Sequence, residues 1–290
     1  SQNHLDRGES AIGNGLRSAV PDAVGIGDLD GISFQESKEN TMKKEYIYLS
    51  TIAADAAKTA KEYGFGLEIA EYCTAWNMDE QFSKTDAEVR EKLTGIGNCI
   101  LHAPFNELFP CAIDKKAKTL AADRYRQAIA IAKNYGAAKV VIHGGYNPRI
   151  YYPVWYVEQS VLFWKDFLKE NPGVEIVLEN VLEETPDMLL DIVKGVDDKR
   201  LRLCLDIGHV NAYSEIPVMD WLKVWAPHIS HFHIHNNDGS GDRHNALDDG
   251  TIPIKDLLEH AEYMCPNTTY TLELLQDASS ARWLKENELL

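Results

Sequence analysis

Between residues 46 and 290 one pattern recurs eight times: a short apolar run followed by a segment with helical periodicity. The runs are YIYLS (46–50), GLEIA (66–70), CILH (99–102), KVVIH (139–143), EIVLE (175–179), LRLCLD (201–206), ISHFHIH (229–235) and TYTLELL (269–275). Helices are expected over 53–63, 85–93, 118–135, 156–170, 186–194, 218–225, 254–263 and 281–290. Short buried strands alternating with helices pair in parallel, because each helix carries the chain back to start the next strand. Eight such units in about 249 residues match one closed (β/α)8 barrel, an α/β fold in a single domain. A doubly wound open sheet competes, but no glycine-rich turn follows the first run.

Residues 1–41 break the pattern. They are rich in Gly, Ser, Asp and Asn, and lack a basic start followed by an apolar block. They are expected to be a flexible leader or an extension added to the natural chain, with the catalytic domain at 42–290. No apolar run is long enough to span a bilayer, so no membrane partner is expected. Residues 42–290 carry 26 Lys and Arg against 38 Asp and Glu, a net of −12. Such a surface repels a polyanion unless bound cations compensate, which makes nucleic acid a less favoured partner. The five cysteines, Cys73, Cys99, Cys111, Cys204 and Cys265, are odd in number and widely spaced. A reduced, cytoplasmic protein is expected, with Cys99 and Cys204 as small buried hydrophobes.

In a parallel barrel the C-terminal strand ends converge on one mouth, and chemistry sits there. The last inward residue of runs three to eight is His102, His143, Glu179, Asp206, His233 and Glu273 in turn. Asp, Glu and His together make up roughly one residue in five, so six of six is on the order of one in twenty thousand by chance; freedom in placing strand ends relaxes this about a hundredfold. Three more candidates lie just beyond: His209, three residues after Asp206, then Asp242 and His244 in a loop of turn-forming residues. Nine carboxylates and imidazoles in one cavity are electrostatically costly unless cations sit among them. Imidazole and carboxylate without thiolate suit zinc, manganese or iron better than calcium or magnesium. Nine ligands exceed what one ion accepts, so two or three zinc ions are expected, with manganese or another divalent metal as an option.

LHAPF (101–105), VVIHGG (140–145), LEN (178–180), CLDIGH (204–209), HIHNND (233–238), DRH (242–244) and LE (272–273) together resemble a known superfamily. It includes endonuclease IV, of the second family of apurinic/apyrimidinic endonucleases, and the xylose-isomerase-like sugar isomerases and epimerases. The resemblance runs from about residue 46 to 275 and implies a TIM barrel. It implies that Glu179, Asp206, His233 and Glu273 form the single-metal site of the epimerases. His102 and His143, with Glu179 bridging, are then similar to the second zinc site of endonuclease IV, and His209, Asp242 and His244 to its third.

Two chemistries fit. Phosphoester hydrolysis by a multinuclear centre employs all nine residues and is the first expectation, on a small phosphorylated or sugar-containing substrate. The alternative is a mononuclear sugar or sugar-phosphate isomerase or epimerase, in which Glu179 and Glu273 move a proton at carbon. A third class is a metal-dependent binding protein without turnover. Duplex DNA is the less favoured substrate, because NVLEETP stands after Glu179 in place of a Gly-containing loop, and Asn106 stands where the endonucleases place an apolar wedge.

Substrate contacts are expected from Phe105, Glu68 and the loops after strands two and four. Those loops carry Tyr72, Trp76 and Asn77, then Tyr146, Arg149, Tyr151, Tyr152, Trp155 and Tyr156. Arg149 and Arg243 are the candidate phosphate contacts. Glu68 could instead pair within the barrel wall. A structural Glu175–Arg202 ion pair is expected deep in adjacent strands. His231 is expected to be a satisfied interior histidine and His235 to support a ligand, with His4, His228 and His260 at the surface.

Overall fold

The computed structural model of the chain describes residues 41–290. The expected leader, save Thr41, and His4 therefore lie outside the described residues. Eight parallel strands close into a barrel in sequence order. They are β1 (Ile47–Ser50), β2 (Gly66–Ile69), β3 (Cys99–His102), β4 (Lys139–His143), β5 (Glu175–Glu179), β6 (Leu201–Asp206), β7 (Ile229–Ile234) and β8 (Thr269–Leu272). The surrounding helices are α1 (Ala56–Tyr63), α2 (Ala75–Met78), α3 (Phe82–Leu93), α4 (Lys115–Tyr135), α5 (Pro153–Glu170), α6 (Asp187–Val196), α7 (Ile207–Tyr213), α8 (Val218–Trp225), α9 (Ile254–Met264) and α10 (Ala278–Glu286). This is the TIM barrel that the eightfold alternation implied.

The strands read as continuous apolar runs because both faces are covered. Leu49, Leu67, Leu101, Val140, Ile176, Leu203, Phe232 and Leu272 join the large core with the helices. A separate inner layer consists of Tyr48, Ile100, Val141, Val177 and Cys204. One step above that layer, the same period-2 alternation places His102, His143, Glu179, Asp206 and His233 on the inward face. On β7 the register jumps: Ile229 pairs with Leu203, and His231 pairs with Cys204. Ser230 is the extra residue of this bulge, so Ile229 packs outward while His231, two positions on, points inward.

Helix ends follow local chemistry. Asp114 caps α4 by accepting from Lys116 N, and Gly136 closes it in the left-handed region at φ 69°. Helix α7 has no counterpart among the expected helices and starts directly after β6. Asp206 ends the strand and caps that helix, its carboxylate accepting from His209 N at 2.7 Å. One residue thereby joins strand, helix and site.

The expected Glu175–Arg202 pair does not form. Register sets Glu175 opposite Lys139 and Arg202 opposite Val177. Lys139 Nζ lies 3.6 Å from Glu175, while Arg202 donates to the Pro227 and Ile229 carbonyls. Cys99 and Cys204 are buried as expected, and all five cysteines are free thiols. His228 and His260 are partly exposed. Among the described residues no helix is long and apolar enough to cross a membrane.

Candidate metal centre

The C-terminal barrel mouth gathers the residues the strand ends pointed to. Glu179, Asp206, His233 and Glu273 each bring a ligand atom within 4.8 Å of the others. Glu273 lies one residue past β8 and is held there by its backbone N–H, which donates to Ile234 O at 3.1 Å. Below it, Glu68 is fully buried and lies 3.1 Å from His233 Nε2. Glu68 also accepts from Thr271 Oγ1 at 2.5 Å. With the His233 proton given to Glu68 at Nε2, Nδ1 presents a bare lone pair. That nitrogen is buried without a hydrogen-bond partner and lies 3.3 Å from Glu179, 3.3 Å from Glu273 and 3.7 Å from Asp206. Donors sharing one ion at about 2.1 Å stand roughly 3.0–3.4 Å apart. A lone pair with two carboxylates at that spacing, and a third a few tenths of an ångström beyond it, fits a divalent cation.

Two further sets flank the quartet. His102, His143 and Glu179 also fall within 4.8 Å of one another. His209 Nε2 and His244 Nε2 approach the same Asp242 oxygen at 3.3 and 3.1 Å. In three of these histidines the other nitrogen faces a main-chain carbonyl. His102 Nδ1 donates to Ala103 O at 2.9 Å, His209 Nδ1 to Asn180 O at 2.8 Å and His244 Nδ1 to Glu273 O at 2.8 Å. A carbonyl only accepts, so the proton sits on Nδ1, and Nε2 is left facing a carboxylate. That contact is favourable only with a second proton or a cation between the two, and a carbonyl-locked histidine is how metal ligands are usually oriented. The Asp242 loop is pinned by Asn236, which donates to Leu247 O and Ile252 O and pairs with Asn245. His244 itself sits at φ 50°, a left-handed conformation rare for histidine and found mainly where surroundings enforce it.

The electrostatics follow. Burial disfavours charge on every imidazole here, but for most of them neighbouring carboxylates and thiols prevail. Burial opposes a charged His233, yet Cys204, Glu68, Glu179 and Glu273 hold its pKa well above the ordinary value. His209 is raised in the same way by Asp206, Asp242 and Glu179, and His102 by Cys73 and Glu179. His244, against its burial, is raised to about 9 by Asp242 and Glu273. His143 goes the other way: burial lowers it to about 4 despite Glu179. Burial also works against ionised carboxylates, but His233 and His143 hold Glu179 well below the usual range, and His209 and His235 do the same for Asp206. The cluster binds protons or cations on the same lone pairs, so the two compete.

The substrate residues expected from the sequence divide. Phe105 stacks on His143 with centroids 4.4 Å apart and stays 36% exposed, so it forms a wall of the mouth. Trp76, 62% exposed, lies on α2 in the connection after β2. Tyr146 is buried and packs on Tyr156, while Tyr72 is buried against Tyr135. Glu68 is a correction: it lies beneath His233 rather than facing a substrate. Arg243 is exposed, and its guanidinium turns to Ser240 on its own loop, 3.1 Å away. Arg149 is exposed on the loop after β4. His231 is satisfied by Thr269 and Thr271, as expected of an interior histidine.

Sequence reasoning passed over Asn180, whose side chain clamps the Asp206 backbone through N–H and carbonyl at 2.9 and 3.0 Å. Its position next to Glu179 was the available signal. It also passed over Glu183, buried with Tyr156 Oη donating to it at 2.8 Å. Nothing in its local sequence marks it.

Comparison with known proteins agrees with this architecture. The model of the xylose isomerase-like TIM barrel family matches residues 57–287. An uncharacterized protein of Methanocaldococcus jannaschii, MJ1311, is 33% identical over 175 residues, 55% of this chain and 58% of that protein's length. A D-tagatose 3-epimerase-like protein superposes with a TM-score of 0.69 at 24% identity, covering 84% of this chain and 97% of its own. The IOLI protein, solved with a bound zinc atom, superposes with a TM-score of 0.66 at 16% identity, covering 83% and 96%. With its strand order, its mouth and this match in agreement, the chain belongs to the xylose isomerase-like TIM barrel family.

Proposed function

We propose that this protein is a divalent-metal-dependent isomerase or epimerase acting on a carbohydrate. The observation that carries the reading is the pair Glu179 and Glu273, both 3.3 Å from His233 Nδ1, a buried nitrogen without a hydrogen-bond partner. Both carboxylates are held ionised: burial opposes this, but the neighbouring imidazoles outweigh it. A bound cation would polarise a substrate carbonyl and the adjacent hydroxyl, acidifying the carbon between them. One glutamate removes the proton from that carbon. The other returns a proton, to the opposite face of the same carbon for an epimer, or to the former carbonyl carbon for an isomer, where the hydroxyl proton also passes to the former carbonyl oxygen. Asp206, clamped by Asn180, and His233, fixed by Glu68, would hold the cation together with these two glutamates. Phe105 over His143 offers an apolar face to the C–H side of a sugar ring. The epimerases among the structural neighbours support the same assignment.

Phosphoester hydrolysis, the first expectation from the sequence, becomes the second reading. The two arginines expected to meet a phosphate lend hydrolysis little support: Arg243 is turned to Ser240, and Arg149 is exposed on its loop. What favours hydrolysis is the set of carbonyl-locked histidines, His102, His209 and His244, which a mononuclear site leaves without a role.

The deciding experiment incubates metal-loaded protein with ketoses, aldoses and their phosphates in deuterium oxide. The proposal expects deuterium at the carbon beside the carbonyl, with exchange lost in both Glu179→Gln and Glu273→Gln. Release of phosphate or alcohol from phosphoesters, with no exchange into any sugar, would replace it with the second reading.

A further inference from the structure

His235 lies two residues beyond His233 on the inward face and is fully buried. Its Nε2 stands 3.1 and 3.2 Å from the two Asp206 oxygens and donates to that carboxylate. The ring is held on three sides. It stacks on His244 with centroids 4.3 Å apart and meets His209 edge-on at 6.0 Å. On the third side is Gly208, where any Cβ would overlap the imidazole. Gly208 is tied to the β7 loop in turn, its carbonyl accepting from Asn237 Nδ2 at 2.9 Å.

Asp206 has few remaining freedoms. Oδ1 also accepts from His209 N at 2.7 Å, and Asn180 holds its backbone on both sides. The oxygen turned toward His233 is Oδ2. Meanwhile His235 Nδ1 is buried with no hydrogen-bond partner. An unpartnered buried nitrogen lowers stability, so an apolar ring would serve better if the position existed only for packing.

We propose that His235 is a positioning residue for the central cation: its Nε2–H sets the plane of the Asp206 carboxylate so that Oδ2 is presented to the ion, and Gly208 is glycine because the ring needs that space. This rests on the reading of Asp206 and His233 as ligands. It assigns a role to the second histidine of HIH and to the glycine of DIGH, neither of which belongs to the quartet of Glu179, Asp206, His233 and Glu273. His235 also has a ligand atom near His244 and Glu273, and the number of ions bound at saturation separates the two roles.

The test uses the full chain, stripped of metal and titrated with zinc by calorimetry, alongside the visible spectrum of the cobalt-loaded protein. His235→Phe keeps the stacked ring and removes the donor; it is expected to weaken metal affinity about 10–100-fold, the usual effect of losing such a partner. The number of ions bound at saturation stays unchanged. His235→Gln, which keeps a donor, is expected within a few-fold of the parent. Gly208→Ala is expected to reproduce the His235→Phe loss, and the double variant to be no worse than either single one, since both break one unit. Circular dichroism of each metal-free variant checks folding. If Gly208→Ala does not fold, the Phe and Gln variants decide alone. Unaltered affinity in His235→Phe overturns the proposal, as does the loss of a whole ion at saturation, which would make His235 a ligand. A parent protein that binds no ion at all would instead refute the reading beneath it.

Discussion

The two ends of this barrel both bury charge, and they dispose of it differently. At the N-terminal end, Lys139 sits 3.6 Å from Glu175 and donates to Thr269 Oγ1 at 3.0 Å, and Ser230 Oγ donates to Glu175. One cation meets one anion, and hydroxyls take up what remains. At the C-terminal end stand five carboxylates, Glu68, Glu179, Asp206, Asp242 and Glu273, with no lysine or arginine among the described residues of the cluster. There the compensation is histidine, which binds a proton or a metal ion, and buried atoms such as His233 Nδ1 and Asp242 Oδ1 find no partner. The lower end is closed on itself, whereas the upper end leaves lone pairs open to a proton or a cation. The same barrel thus separates a structural charge pair from a site.

The largest effect expected from this contrast follows His233→Ala. It removes the nitrogen facing three carboxylates, so the tightest ion should be lost and turnover should fall about 1,000-fold or more, as steady-state kinetics on metal-replete protein would show. Comparable binding and rate in the variant would erase the distinction between the two ends.

A buried carboxylate outside both ends sharpens the comparison. Asp277 is fully buried and its oxygens have no hydrogen-bond partner. Burial, with Asp55 nearby, raises its pKa from 3.8 to about 8. A lone carboxylate solves the problem by keeping its proton. Over that interval the folded state holds a proton the unfolded state has released, so this contribution to stability is present in full below about pH 4 and is lost as pH rises through 8. Asp277→Asn should therefore gain on the parent by about 1.4 kcal/mol per pH unit across the window. Denaturant titrations from pH 5 to 9 check this, and a gap that stays flat with pH would contradict it.

Lys139→Met strips the lower end of its cation and leaves Glu175 partly buried and unpaired. A loss of about 1–3 kcal/mol is expected, discounted from a fully buried pair because Glu175 keeps some solvent contact. Metal content should not change, as elemental analysis can verify; a lower metal content would mean the two ends are coupled. The smallest effect expected is from Arg243→Ala. With its guanidinium on Ser240, KM for the true substrate should move less than about twofold. A tenfold rise would bring phosphate recognition, and hydrolysis, back to the front.

The barrel was legible in the sequence because both of its determinants are local: the alternation of runs and the period of the strands. The convergence of the six strand-end residues on one mouth was legible for the same reason, since period 2 fixes which residues face inward. What the sequence could not show depended on how neighbours meet. The bulge at Ser230 and the register of β4 with β5 decided that Glu175 would find Lys139 rather than Arg202. Glu68 was recognisable as inward-facing, but its service to His233 depends on β7 lying across the barrel from β2. The turn of Arg243 toward Ser240 is a contest among loop contacts that composition does not decide. Asn180 and Gly208 lay inside motifs already noticed, yet their roles appear only once Asp206 and His235 are placed in space.

The most direct test of the central claim is the metal content of folded protein reconstituted with zinc or manganese and freed of excess ion. At least one tightly held divalent ion per chain is predicted, released as pH falls through the range where the raised imidazoles take up protons, and absent in His233→Ala. A folded, metal-replete preparation that retains none, or a His233→Ala variant that retains as much as the parent, would contradict the account.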